Sequence, residues 1–128
     1  MKLLLDTHTM LWFMREPERL PPEVMRVIKT AGKQAFVSTA TLWEIAIKVS
    51  INKLSLPGEY EDLFPSSVVD SGLSLLPIEP QHLATVRRLE FHHRDPFDRL
   101  IIAQAKVENM ILVSKDPHFS SYNVKILW

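Results

Sequence analysis

Five short apolar runs punctuate the chain: KLLLD (2–6), AFVS (35–38), LSLLPI (73–78), MILVS (110–114) and VKILW (124–128). They lack the apolar–polar alternation of a half-exposed strand, so each reads as a strand buried on both faces. The segments between them carry helical spacing instead. Strands alternating with helices predict a doubly wound α/β/α sandwich around a mainly parallel five-stranded sheet. At 128 residues the chain is expected to form a single domain, spanning 1–128, around one core.

Helices are predicted at 7–16, with Thr7 as N-cap, and at 21–33, with proline at the start and Gly32 at the end. A long helix is expected over 39–54. Leu42, Ile45, Ala46 and Val49 form one apolar stripe on it, and Trp43, Ile47 and Ile51 a second flank. The segment 59–72 reads as helical but broken near Pro65. Further helices are expected at 80–90 and 96–109, with a helical turn at 117–122. Trp12, Trp43 and Trp128 are read as core packing.

Composition narrows the function. Apolar residues make up 46% and charged residues 23%, as in a soluble globular protein. Net charge is zero, so any affinity for nucleic acid must come from a local site. Cysteine is absent, which removes disulfides, thiolate metal sites and cysteine nucleophiles and suits a reducing cytoplasm. No apolar run reaches the roughly 18–20 residues that span a bilayer, so no membrane association is expected. Asp6 and His8 interrupt the apolar N-terminus, which is read as structure and not as a signal peptide.

The acids lie where a sheet of this kind binds ligands, just beyond the carboxyl ends of strands. Asp6 closes the first strand and Asp116 follows the fourth by two residues. Glu44 sits in the early turns of the helix after the second strand. Asp95 and Asp98 open the helix that leads into the fourth. Each has an ordinary alternative. Asp95 and Asp116 precede prolines, as helix caps do. Asp98 sits near the positive end of a helix dipole, and Glu44 has Lys48 four residues on.

Taken together they are harder to dismiss. Carboxylates about 5 Å apart repel by roughly 3 kcal/mol per pair at an effective dielectric near 20. A divalent cation would offset that repulsion, and hard oxygen ligands select Mg²⁺ or Mn²⁺. Such a centre suits phosphodiester hydrolysis by a metal-activated water. Neither a GxSxG elbow nor a Walker-type glycine loop offers a competing chemistry.

The blocks LLLDTHTMLWF, VSTATLWEIAIK, HHRDPFDRLIIAQA and LVSKDPHFSSYNVKILW resemble the PIN-domain ribonucleases, in particular the VapC-type toxins of bacterial and archaeal toxin–antitoxin pairs. The resemblance runs from the first strand to the last. It implies a Mg²⁺- or Mn²⁺-dependent endoribonuclease whose four acids are Asp6, Glu44, Asp98 and Asp116, both as catalytic residues and as metal ligands. It implies supporting roles for Ser114, which precedes the fourth acid, and for Asp95 of the DPFD pattern. It also implies a homodimer and a small antitoxin protein that fills the acidic groove. Some relatives carry another acid two residues after the first; His8 occupies that place here. Two roles are open to His8, a bond to phosphate or to Asp6, and a structural one.

Arg94 and Arg99 flank the paired aspartates and either contact RNA phosphates or pair with nearby acids. His92 and His93 are read as a solvated pair, with RNA binding or proton donation as the alternative. Two other functions remain in view. A non-catalytic PIN-like RNA- or protein-binding module would be expected to have lost some acids, yet all four positions are filled. A phosphotransfer domain of the phosphatase type wants Asp-x-Asp where this chain has DTH, and a receiver domain wants a phosphoacceptor that AFVSTA does not supply.

Overall fold

Leu3, Leu4 and Leu5 form the middle strand, β1 (Leu3–Leu5), and all three are fully buried. Neighbouring side chains on a strand leave by opposite faces, so this leucine triplet contributes to two packed clusters at once. In the computed structural model, which describes residues 1–128, Leu3 and Leu5 pack with Met10, Val24, Ile28 and Ile45 on one side of the sheet. Leu4 packs with Ile101, Ile102, Leu112 and Phe119 on the other.

β2 (Ala35–Ser38) and β4 (Ile111–Val113) flank β1, while β3 (Ser74–Leu76) and β5 (Ile126–Leu127) lie at the edges. The order is β3-β2-β1-β4-β5, and every pairing is parallel. Helices α1 (Thr7–Arg15), α2 (Pro22–Ala31), α3 (Thr39–Ser50), α4 (Tyr60–Leu63) and α5 (Ser66–Asp70) precede β3. α1, α2, α3 and α5 supply Met10, Val24, Ile45 and Val68 to the core of Leu3 and Leu5. α6 (Pro80–Arg88) and α7 (Pro96–Glu108) cover the opposite face, with Val86 and Ile101 packed into the core of Leu4. The expected three-layer sandwich is therefore present. No helix is long and apolar enough to cross a membrane.

Several boundaries differ from the sequence reading for identifiable reasons. α1 is capped by Asp6 and not by Thr7: Asp6 is extended and its carboxylate accepts the Thr9 backbone N–H. Thr7 is already helical, and its hydroxyl is used elsewhere. α3 stops at Ser50, short of residue 54, because Asn52 turns left-handed (φ 59°) and the Lys53 N–H closes back on the Lys48 carbonyl at 2.8 Å. The 59–72 segment is two short helices that part at Phe64–Pro65.

The second flank of α3 does not join the core. Only one side of that helix can face the sheet, and Trp43, Ile47 and Ile51 stay exposed on another. Trp43 instead meets the edge of Phe97, with ring centroids 5.0 Å apart. Trp128 is also exposed, and Trp12 is half-buried with its ring 5.9 Å from that of Trp128. The core assignment for Trp43 and Trp128 is thereby corrected.

The strand order reverses between β1 and β4. In an open parallel sheet this is where the loops diverge and leave a crevice at the carboxyl ends. Asp6 and Ser114 are the first residues past those two ends.

Candidate active site

Asp6 is tied to both strands at this crevice. Its backbone N–H extends the ladder to the Val113 carbonyl at 3.2 Å. Its Oδ1 accepts the Thr9 N–H at 2.9 Å, and its Oδ2 accepts the Ser114 hydroxyl at 2.6 Å. Burial pushes the Asp6 carboxyl above its ordinary pKa, with the Ser114 and Thr9 hydrogen bonds pulling the other way. Ser114 is itself buried and its Oγ also accepts the Asp116 N–H at 3.0 Å. One hydroxyl thus couples the first acid to the backbone of the fourth.

Asp116 caps the turn at Pro117–Tyr122 and its Oδ1 faces both the backbone N–H and the ring Nδ1 of His118, each at 2.9 Å. Burial raises its pKa, but the hydrogen bonds and charge of His118 outweigh that and hold the carboxyl below its ordinary range.

Glu44 arrives from α3 with its side chain buried. Its Oε1 accepts the Thr7 hydroxyl at 2.7 Å, and its Oε2 lies 2.7 Å from Lys48 Nζ. The i,i+4 pair expected from the sequence exists, yet its acid is buried and its lysine is partly exposed.

Asp98 is the third residue of α7, where Asp95 caps the helix by accepting the Asp98 N–H at 2.9 Å. The Asp98 carboxyl is pushed up to about 7, first by burial and then by the charges of Asp95, Glu44, Asp116 and Asp6. All four family-type acids therefore share one electrostatic field with Asp98 within it.

No three of these carboxylates lie close enough together to enclose an ion as they stand. That still suits a cation such as Mg²⁺, which keeps several waters and takes one or two carboxylates from the protein. The donor set is hard oxygen throughout, and only Lys48 pairs with an acid of the group as a permanent cation. The residues present fit a hydrated divalent ion.

A cavity of about 410 Å³ opens beside Asp6 and Asp116, walled by His8, Trp12, Lys115 and His118. His8 is exposed and sits 5.8 Å from the Trp12 ring; Thr9 and Ser114, not His8, are the partners of Asp6. Arg94 is exposed. Arg99 is not, which corrects its placement against RNA. It is only 4% exposed and donates to the Leu89 and Glu90 carbonyls and to the Tyr122 hydroxyl.

The expectation of a solvated His93 is corrected. Its ring instead lies between Tyr122 and Asp98, with Nδ1 2.7 Å from the Tyr122 hydroxyl and Nε2 3.2 Å from Asp98 Oδ2. Thr7 and His118 are further partners of the acids that sequence reasoning missed. The only hint of His118 was its place two residues after Asp116, where a side chain can close on a capping carboxylate.

The raised pKa of Asp98 has a signed consequence. Between its ordinary value of 3.8 and about 7, the folded state holds a proton that the unfolded chain has released. The metal-free protein therefore loses stability as pH rises through that window. Asp98→Asn should match the wild type near pH 4–5 and exceed it at pH 8 by about 1–2 kcal/mol, allowing for solvent screening. Urea unfolding at the two pH values measures this. An equal difference at both would show that Asp98 is not held protonated.

Residues 3–125 match the family profile of the PIN domain. A search among curated proteins finds no match. Solved structures do resemble the chain. The crystal structure of DNA-bound VapBC from Salmonella typhimurium matches with TM-score 0.76 at 17% identity, over 99% of this chain and 97% of that one. VapBC2 from Rickettsia felis bound to a DNA fragment from its promoter gives TM-score 0.74 at 16% identity, over 99% and 98%. A toxin–antitoxin complex from Klebsiella pneumoniae gives 0.63 at 12% identity, over 99% and 97%. At these identities the likeness concerns the fold, while the family profile covers nearly the whole sequence: the chain belongs to the PIN domain family.

Proposed function

We propose that this protein is a Mg²⁺- or Mn²⁺-dependent endoribonuclease and the toxin of a toxin–antitoxin pair, with Asp6, Glu44, Asp98 and Asp116 as its metal-binding and catalytic acids. The observation that carries the reading is the convergence of acids on the Asp98 carboxyl, which is raised first by burial and then by the charges of Asp95, Glu44, Asp116 and Asp6. A fold gains nothing from gathering like charges unless something positive is to be bound there.

A bound Mg²⁺ or Mn²⁺ supplies charge neutralisation at the scissile phosphate and acidity to the attacking water. The chain's own residues prepare that centre. Ser114 and Thr9 fix the two oxygens of Asp6, and Thr7 fixes Glu44. Lys48 holds the other Glu44 oxygen and stands in for positive charge until a cation is present. Lys115 sits by the cavity, suited to a backbone phosphate, while the Trp12 ring offers a face to a neighbouring base.

The nuclease reading predicts that purified protein cuts single-stranded RNA with Mg²⁺ or Mn²⁺ and stops when a chelator is added. Asp6→Asn and Asp98→Asn should each abolish cutting while leaving the circular dichroism spectrum intact. Cleavage indifferent to chelator would rule the mechanism out, and RNA binding without cleavage would favour a non-catalytic module. Trp12→Ala should raise KM about tenfold, as the loss of one stacked base does, with little change in Mn²⁺ affinity. A KM equal to that of the wild type would remove the base from this cavity.

Two copies are proposed to pair through Trp43 and Ile47 of α3 and Ile51 at its C-cap, which lie four residues apart and are all exposed. The antitoxin is proposed from the resemblance to VapC-type toxins, and the Klebsiella structure, itself a toxin–antitoxin complex, supports it. Ile47→Glu should shift the sedimenting species from dimer to monomer; a wild type that sediments as a monomer would refute the pairing.

A further inference from the structure

Beneath Asp98 a run of hydrogen bonds determines where one proton must lie. It begins at Arg99, whose buried guanidinium offers N–H donors and no acceptor. Arg99 Nη2 donates to the Leu89 carbonyl at 3.2 Å. Nη1 lies 2.9 Å from the Glu90 carbonyl and 3.1 Å from the Tyr122 hydroxyl. The same hydroxyl oxygen accepts the backbone N–H of His93 at 3.1 Å.

A phenol oxygen has two lone pairs and one proton. Two N–H donors already point at it, so Tyr122 must use its proton to donate. The nearer acceptor is His93 Nδ1 at 2.7 Å; the alternative, the His93 carbonyl, is at 3.4 Å. With Nδ1 accepting, a neutral His93 carries its hydrogen on Nε2. That nitrogen lies 3.2 Å from Asp98 Oδ2. The ring cannot easily turn away, since it stacks on His118 with centroids 5.0 Å apart and planes within 8°.

We propose that His93 is a positioning residue for Asp98: Arg99 and Tyr122 set its Nε2–H tautomer, and that N–H pins Oδ2 so that Oδ1 is left for the cation. The proposal rests on the metal-dependent reading above and deepens it. Groups that orient a ligating side chain from behind typically matter 10–100-fold in metal affinity.

Two measurements test it. In the metal-free protein, ¹⁵N shifts of the His93 ring should show hydrogen on Nε2 and a bare Nδ1. Hydrogen on Nδ1 would overturn the proposal whatever the enzyme does. Tyr122→Phe removes a single oxygen and should weaken Mn²⁺ binding, read by titration of the purified protein with Mn²⁺ alone, by about 10–100-fold. If Tyr122→Phe does not fold, His93→Gln and His93→Leu replace it. The glutamine keeps an N–H donor for Asp98 and should retain most of the Mn²⁺ affinity that the leucine loses. Equal Mn²⁺ affinity in the wild type and Tyr122→Phe, or in the His93 pair, would overturn the positioning role alone. A wild type that binds no Mn²⁺ would sink the metal reading and this proposal with it.

Discussion

Mutual repulsion among partly buried carboxylates is the constraint around which this molecule is arranged. Four acids from four parts of the chain approach one crevice, and burial together with the neighbouring charges pushes the Asp98 carboxyl up to about 7. The fold tolerates them because each has donors of its own. Ser114 and the Thr9 amide serve Asp6, Thr7 and Lys48 serve Glu44, His93 serves Asp98, and His118 serves Asp116. Apart from Lys48 these donors are hydroxyls, amides and imidazoles. Hydroxyl and amide donors orient negative charge without cancelling it.

The sheet topology is what makes such a gathering possible. β1 lies at the centre, with one pair of strands added on one side and another on the other side. The loops after β1 and β4 must part, and the crevice between them has backbone hydrogen bonds already satisfied on both walls. Acids placed at those strand ends are held by rigid elements, since the Asp6 N–H and the Thr9 hydroxyl both bond to the Val113 carbonyl. The precision of the site is inherited from the ladder.

Much of this was legible in the sequence. The leucine triplet, AFVS and the apolar run before Ser114 marked the inner strands because burial on both faces leaves no room for alternation. The acids stood out because they followed those runs. The errors share a different cause. Thr7 looked like a cap because both it and Asp6 can cap, and only the Glu44 contact, 37 residues away, decides between them. Arg99 follows Asp98 directly, which suggested an RNA contact or a pairing with an acid. Adjacent helical residues point about 100° apart, however, and its acceptors come from Leu89, Glu90 and Tyr122. The three-residue spacing within DPFD revealed the cap at Asp95, a local pattern. The role of His93 needed a tyrosine 29 residues on, which no local pattern reports.

The Lys48–Glu44 contact bears on the order of events in the life of the protein. It lies within a single helix and joins residues four apart, so it forms as soon as α3 does and needs no other part of the chain. The one acid of α3 is thus accompanied from the start by an ammonium on a flexible stem, which can withdraw into solvent without disturbing the backbone. The polypeptide can thus reach its native shape with this buried carboxylate already under an internal counterion.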